Sequence, residues 1–294
     1  MNDYILSCCS TADLSENHFK KRDIHYICFH YSLNGKTYED DLGKSVPFSK
    51  FYQAMADGAD TGTSQVNPEE YEDYFRPFLE EGKDILHVCL SSGLSGTINS
   101  ANIARKKLLR EYPQRRIFIE DSLGASSGYG LLMDTLADLR DSGASLEDLL
   151  VWTEKHKLQL HHWFFSTDLT SYIKGGRISK TSGWFGTKLG ICPLLNMDAN
   201  GRLVPRKKVR SKKKVIDEMV RMMEQHARGG LSYNGKCYIS QAGCPEDAGV
   251  VAGKIKELFP NITGDIEINS VGTTIGSHTG PGTVALFFWG DERC

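Results

Sequence analysis

Asp84-Ile85-Leu86-His87-Val88-Cys89-Leu90-Ser91-Ser92-Gly93-Leu94-Ser95-Gly96-Thr97 decides the fold. Residues 84–90 form an apolar run of strand length, the glycines and hydroxyls after it make a turn, and residues 97–110 carry a helical pattern. Strand, turn and helix in this order build a parallel sheet with helices on its faces. The same alternation extends upstream, where residues 4–9 and 25–31 read as strands. Asn67-Pro68-Glu69-Glu70 is a helix start, with Asn at the cap, Pro at the first position and acids in the first turn. Tyr71, Tyr74, Phe75, Phe78 and Leu79 then recur at helical spacing until Gly82 stops the helix. Downstream, residues 116–120 read as a strand, and 128–139 and 146–157 as helices.

The pattern changes near residue 160. Residues 160–166 look like a strand, followed by the basic, glycine-punctuated Lys174-Gly175-Gly176-Arg177. Runs 191–197 and 203–209 flank Asp198-Ala199-Asn200-Gly201, a hairpin signal because Asn-Gly tolerates positive φ. Helices over 212–228 and 246–259 alternate with strands over 235–240, 266–271 and 283–289. The expected architecture is α/β in two domains. Residues 1–160 form a mostly parallel α/β/α sandwich, and residues 161–294 an α/β domain with antiparallel strands.

The 294-residue length allows two domains, each large enough for a core of its own. With 40% hydrophobic, 10% aromatic and 24% charged residues, the composition excludes collagen-like, disordered and low-complexity chains. Thirty-five Lys and Arg against 37 Asp and Glu give a net charge of −2, so nothing global points to nucleic acid or an anionic surface. Apolar runs such as 284–289 fall far short of the about 20 residues that span a bilayer. The opening Met-Asn-Asp-Tyr-Ile-Leu-Ser-Cys lacks the basic flank and apolar stretch of a signal peptide, and a cytoplasmic location is expected. The eight cysteines show neither CxxC nor metal-ligand spacing, and at this size no disulfide framework is expected. Cys28 and Cys89 sit in apolar runs as small buried hydrophobes. Of the vicinal Cys8 and Cys9, one thiol is expected to pack and the other to lie near a loop.

Gly93-Leu94-Ser95-Gly96-Thr97 carries the most chemistry. Its glycines let backbone approach a ligand, and the hydroxyls of Ser95 and Thr97 join N–H groups at a helix start in a cradle for one small anion such as a carboxylate. The plainer reading is that Ser and Thr only cap the helix. A hydrolase elbow, G-x-S-x-G, is incomplete because position 97 is Thr, and no paired acid and base stands out. Thr61-Gly62-Thr63-Ser64-Gln65 is a second hydroxyl-rich segment before a helix, a turn when taken alone. Gly276 to Thr283 reads as a compact turn whose only titratable group, His278, can donate to a carboxylate or move a proton; alone it is a solvated loop histidine. Lys174 to Arg177 lacks P-loop spacing. The basic run from Arg202 to Lys214 is a solvated face, or it meets a phosphate, an acidic partner or anionic lipid. Without interleaved aromatics it does not suit nucleic acid.

Taken in order, these segments form a set. Ser-Thr-Ala-Asp-Leu (10–14), Thr-Ser-Gln (63–65), Ser-Ser-Gly-Leu-Ser-Gly-Thr (91–97), Asp-Ser (121–122), Asp168-Leu169 with Lys-Gly-Gly-Arg-Ile-Ser (174–179), Val-Arg-Ser-Lys-Lys-Lys (209–214) and His-Thr-Gly-Pro-Gly-Thr (278–283) resemble the DegV family in order and spacing. The resemblance covers nearly the whole chain. It implies a bacterial, cytoplasmic protein that buries one long-chain fatty acid in an apolar tunnel between two α/β domains, and a monomer is expected. It also implies a partner, an ATP-dependent fatty acid kinase that phosphorylates the bound carboxylate; peripheral contact with an anionic membrane is a further expectation, from the basic run at 202–214. By motif, Thr63 and Ser95 hold the carboxylate with His278 close by, and Ser64, Gly96, Thr97 and Thr279 stand beside them as ligand-binding residues. Arg177 and Arg210 match arginines that face the partner or phosphate. No catalytic residue, metal or cofactor is expected in this chain beyond the bound fatty acid. The family's opening motif usually has Asp where Cys9 stands here, and often Tyr-Gln where Ile98-Asn99 stand. Two alternatives stay open. One is a hydrolase or acyltransferase with Ser95 as nucleophile. The other is a small ketone or phosphosugar binder, suggested by likeness to dihydroxyacetone kinase subunits.

Overall fold

The computed structural model of the chain describes residues 4–179 and 190–294. Its first half runs β1 (Tyr4–Cys9), α1 (Glu16–Lys21), β2 (His25–Ile27), β3 (His30–Leu33), β4 (Lys36–Glu39), α2 (Phe48–Ala56), β5 (Thr61–Ser64), α3 (Pro68–Glu80), β6 (Asp84–Cys89), α4 (Thr97–Glu111), β7 (Ile117–Asp121), α5 (Ser126–Asp141) and α6 (Leu146–His156). The second half runs β8 (Leu160–Phe165), α7 (Thr170–Lys174), β9 (Ile191–Met197), β10 (Leu203–Arg210), α8 (Lys212–His226), β11 (Cys237–Gln241), α9 (Pro245–Leu258), β12 (Glu267–Ser270), α10 (Thr273–Thr279) and β13 (Val284–Trp289). Among the described residues, no helix is long and apolar enough to cross a membrane.

Strands β2-β1-β6-β7 form a wholly parallel sheet, as expected of strand–helix repeats. All six residues of β6 are buried, the signature of a parallel strand covered on both faces. Helix α3 starts as its sequence predicts: Glu70 N–H donates to the Asn67 side chain (2.9 Å) and Asn67 N–H to the Glu70 carboxylate (2.8 Å). The second sheet, in the order β10-β9-β8-β13-β11-β12, is antiparallel except for its β11–β12 pair. The Asp198–Gly201 turn joins β9 to β10 as the hairpin reading expects.

Four local expectations change. The predicted strand over 25–31 is broken, because Phe29 leaves the parallel sheet to bond the Ser10 hydroxyl and Asp40 N–H (3.1 and 2.8 Å). Residues 30–33 are instead the middle strand of a third, antiparallel sheet, β4-β3-β5. Residues 61–64 are its strand β5 and not a turn, because they pair with β3 from Thr61↔Leu33 to Ser64↔His30. Residues 273–279 are helix α10 and not a loop. Its first N–H groups are capped by a carboxylate 233 residues away, Asp40, which accepts from Thr273 N–H (3.2 Å), Thr274 N–H (3.2 Å) and the Thr273 hydroxyl (2.8 Å). Cys8 and Cys9 are both fully buried, since β1 lies between β2 and β6 and its two faces meet two different apolar clusters. All eight cysteines are free thiols.

Helix α5 joins the two large sheets. One apolar cluster runs from Leu6, Cys8, Leu86 and Val88 through Leu131, Leu132 and Leu136 to Phe165, Ile239 and Leu286. The helix fits because its inner turns carry glycine. A Cβ at Gly130 would stand 2.6 Å from the Ala12 carbonyl. One at Gly128 would collide with His162 Nε2 and stand 2.5 Å from Phe287 Cδ1. Gly128→Ala is therefore expected to cost about 1–3 kcal/mol, the usual effect of overpacking, read as a lowered midpoint in urea unfolding. A midpoint equal to wild type would mean that α5 does not press on the second sheet.

Candidate functional site

A cavity of about 450 Å³ opens beside the start of α5. Phe29, Leu90 and Ala125, which come just after β2, β6 and β7, line one side, and Phe164 of β8 with Ala285 and Phe287 of β13 line another. The space therefore lies beyond the carboxyl ends of the parallel strands, where open α/β sheets bind ligands. Leu94, Met197, Leu203, Val271 and Ile275 add further apolar wall. The size falls in the range of about 300–1,000 Å³ typical of small-molecule sites.

The polar part of the wall is a series of neighbouring hydrogen-bonded groups. Thr63 on β5 and His278 on α10 meet at 2.8 Å between Oγ1 and Nε2. Two residues on, Gln65 accepts from the Ser95 hydroxyl (3.4 Å) and donates to Ser100 Oγ (3.1 Å). Arg177 donates to the Leu94 carbonyl (3.1 Å) and to the Gly175 carbonyl (2.5 Å). A glycine is needed at 175, where a Cβ would collide with His278 Nδ1. His278 Nδ1, Thr274 Oγ1 and Thr279 Oγ1 are buried without a hydrogen-bond partner among the described residues. Orphaned buried polar atoms carry a desolvation penalty that a polar ligand can relieve.

Electrostatics favour an anion here. Burial pushes the His278 imidazole down to about 4, helped by the neighbouring Arg177 cation. Burial also lowers Arg177 from its ordinary value. The group thus presents a neutral imidazole, hydroxyls and one partly desolvated guanidinium, with no carboxylate on the cavity wall among the described residues. Ser95 Oγ donates to Gln65 and accepts from Thr97 N–H (3.2 Å), and neither partner is a general base. The imidazole instead faces Thr63, and among the described residues no acid orients its Nδ1.

Thr63, Ser64, Ser95, Gly96, Arg177, His278 and Thr279 all stand on the cavity wall. Thr97 does not: it is fully buried, and its hydroxyl is taken by Tyr71 OH at 2.8 Å, behind the wall. His278 is in the last turn of a helix and mostly buried, not in a solvated loop, because α10 is docked by Asp40. Arg210 ends strand β10, exposed and away from the cavity. Sequence reasoning left out Gln65, Ser126, His162 and Thr274, which also line the space. Of these, only Gln65 had a signal, as the third residue of the Thr-Ser-Gln motif.

The family model for the DegV family, described as uncharacterised protein, matches residues 9–291. A DegV domain-containing protein of Clostridium perfringens is 34% identical over 294 residues, covering 100% of this chain and 99% of its own. The chain belongs to the DegV family. A structure described as a DegV lipid binding protein from Thermotoga maritima superposes with a TM-score of 0.86 at 25% identity, covering 100% of both chains. A DegV family protein from Thermus thermophilus, described by its fatty acid binding, superposes with a TM-score of 0.86 at 26% identity, covering 99% of this chain and 100% of its own.

A histidine held at about 4 in the fold and near 6.5 unfolded takes up its proton on unfolding. Its contribution is neutral above pH 6.5 and turns destabilising as pH falls toward 4, by about 2–3 kcal/mol. His278→Gln removes this loss. The stability of wild type relative to the variant should drop by that amount between pH 7 and pH 4 in denaturant titrations. A constant difference would show that His278 is not held neutral.

Proposed function

We propose that the chain binds one long-chain fatty acid, with its alkyl tail in the apolar cavity and its carboxylate against Thr63, Ser95 and His278. The observation that carries this reading is an apolar space of about 450 Å³ with neighbouring hydrogen-bonded polar groups on its wall. Burial of a methylene is worth about 0.8 kcal/mol, so an alkyl chain supplies the affinity, and the head group sets the direction of binding. A buried carboxylate needs several donors, and the hydroxyls of Thr63, Ser95 and Thr279 together with Arg177 offer them. The two related structures described as lipid- and fatty acid-binding support the ligand class.

The same reading makes the chain a carrier and not a catalyst. Its partner is an ATP-dependent kinase that phosphorylates the presented carboxylate, as the motif resemblance implies, and this chain contributes position and donors. Arg177 sits on the cavity wall, whereas exposed Arg210 and the basic β10–α8 stretch suit the docking face or an anionic membrane surface. We place the division between the halves near residue 160 and the protein in the cytoplasm as a monomer.

Two measurements test the proposal. Organic extraction of the purified chain should release a long-chain fatty acid detectable by mass spectrometry, and added oleate should raise the thermal midpoint where triose compounds do not. Ala285→Phe, which fills the slot, should weaken oleate binding at least tenfold. Thr63→Ala combined with Ser95→Ala should weaken head-group binding or acyl-phosphate formation while the fold persists. No extractable acid and no oleate binding would sink the reading, and covalent labelling of Ser95 by an acyl phosphonate would replace it with the hydrolase.

A further inference from the structure

We infer that His161, His226 and Asp291 form a binding site for one divalent metal ion of the zinc type, on the opposite face of the second sheet from the cavity. Side chains alternate along a strand, so His162 lines the cavity while His161 points to the other face, toward α8. Three separate chain segments converge there: the start of β8, the last residue of α8 and the residue two beyond β13. His161 Nε2 lies 2.8 Å from Asp291 Oδ1, and His226 Nδ1 lies 3.1 Å from the same oxygen. All three ligand atoms stand within 4.8 Å of one another, the one such group of three among the described residues.

The surroundings hold this geometry in place. The His161 ring is stacked between Phe288 (centroids 5.1 Å apart, planes at 5°) and His226 (5.0 Å, 25°). Trp163 stacks on His226 as well, at 5.8 Å. These stacks set the planes of the two imidazoles. Backbone brings in the third ligand: Asp291 N–H donates to the His226 carbonyl (3.1 Å) and Gly290 N–H to the Gln159 carbonyl (2.7 Å). Only glycine fits at 290, where a Cβ would collide with the His226 carbonyl and stand 2.9 Å from His161 Cδ2.

Two imidazoles and one carboxylate are a donor set for zinc and its neighbours, and not for hard calcium or magnesium. Zinc bonds of about 2.0–2.2 Å place tetrahedral ligands roughly 3.3–3.6 Å apart. The nitrogen–oxygen separations of 2.8 and 3.1 Å would widen toward that spacing, and the two nitrogens, within 4.8 Å of each other, would settle at it. Asp291, with its side chain 61% exposed, can move its oxygen, and His226, 33% exposed, can shift its nitrogen; the exposed side leaves room for water to complete the coordination. The His161 side chain is only 4% exposed, which makes it the fixed anchor of the site. The ion would tie β8, α8 and the end of the chain together. Residues so far apart in sequence form no motif, which is why spacing gave no metal signal.

The test uses the untagged full chain, stripped with a chelator and titrated with Co²⁺. We expect one equivalent to bind with a visible ligand-field band, displacement of that band by Zn²⁺, and a higher thermal midpoint in Zn²⁺. His226→Ala and Asp291→Ala, at partly exposed positions, should each weaken binding at least tenfold. X-ray absorption of the zinc-loaded wild type should show nitrogen and oxygen neighbours only, a readout that needs no variant. Absence of the band in wild type, sulfur in the coordination shell, or unchanged binding in both variants would overturn the site. Fatty acid binding by the His226→Ala chain should match wild type, so failure of the metal site and failure of the carrier reading are separable.

Discussion

Helix α5 between the two large sheets is the constraint on which the rest of the molecule depends. It can sit there only because glycines at 128 and 130 let its backbone approach His162, Phe287 and the Ala12 carbonyl. The helix buries apolar residues toward both sheets, so the two halves share a continuous core. Its first turn and the preceding Ala125 then form part of the cavity wall. A close-packed interior would normally fill such a space. Here the carboxyl ends of the parallel strands stop short of the second sheet, and the ring and methyl faces of Phe164, Phe287 and Ala285 are left facing an opening.

The chemistry of that opening comes from buried groups with bonding capacity left over. A neutral histidine, two orphaned threonine hydroxyls and a desolvated arginine make a wall that wants an acceptor. The Ser95 hydroxyl meets the Gln65 amide and Thr97 N–H, and the His278 imidazole meets the Thr63 hydroxyl, so the wall offers a polar ligand both donors and acceptors. Asp40 makes the arrangement possible from a distance. By capping α10 it fixes the helix whose last turn presents His278 and Thr279.

The parallel sheet and its helices were largely legible, because their signals are local. The capping box of α3 and the Asn-Gly hairpin need only neighbouring residues. Strand β5 and helix α10 escaped the sequence pattern for the opposite reason. Thr61–Ser64 is polar and glycine-containing, and becomes a strand only because β3 supplies an edge. Residues 273–279, rich in Gly, Ser and Thr, hold a helix because a remote carboxylate caps them. One of Cys8 and Cys9 is expected near a loop, yet both lie inside the sheet, a matter of strand order that one strand's sequence does not carry.

The candidate site divides along the same line. Glycine-and-hydroxyl motifs marked Thr63, Ser95, Arg177 and His278 in the sequence, since small donors with permissive backbone look alike wherever they occur. They did not reveal that Thr97 is already bonded to Tyr71, or that His161, His226 and Asp291 meet across 130 residues of chain. By itself the sequence determined the α/β alternation, the capped helices and the chemical kind of group available to a ligand, because each depends on residues within a turn or two. Only the tertiary structure decided which of those groups face one space, which are silenced by a partner, and how much room lies between them, because such distances arise from the packing of whole sheets.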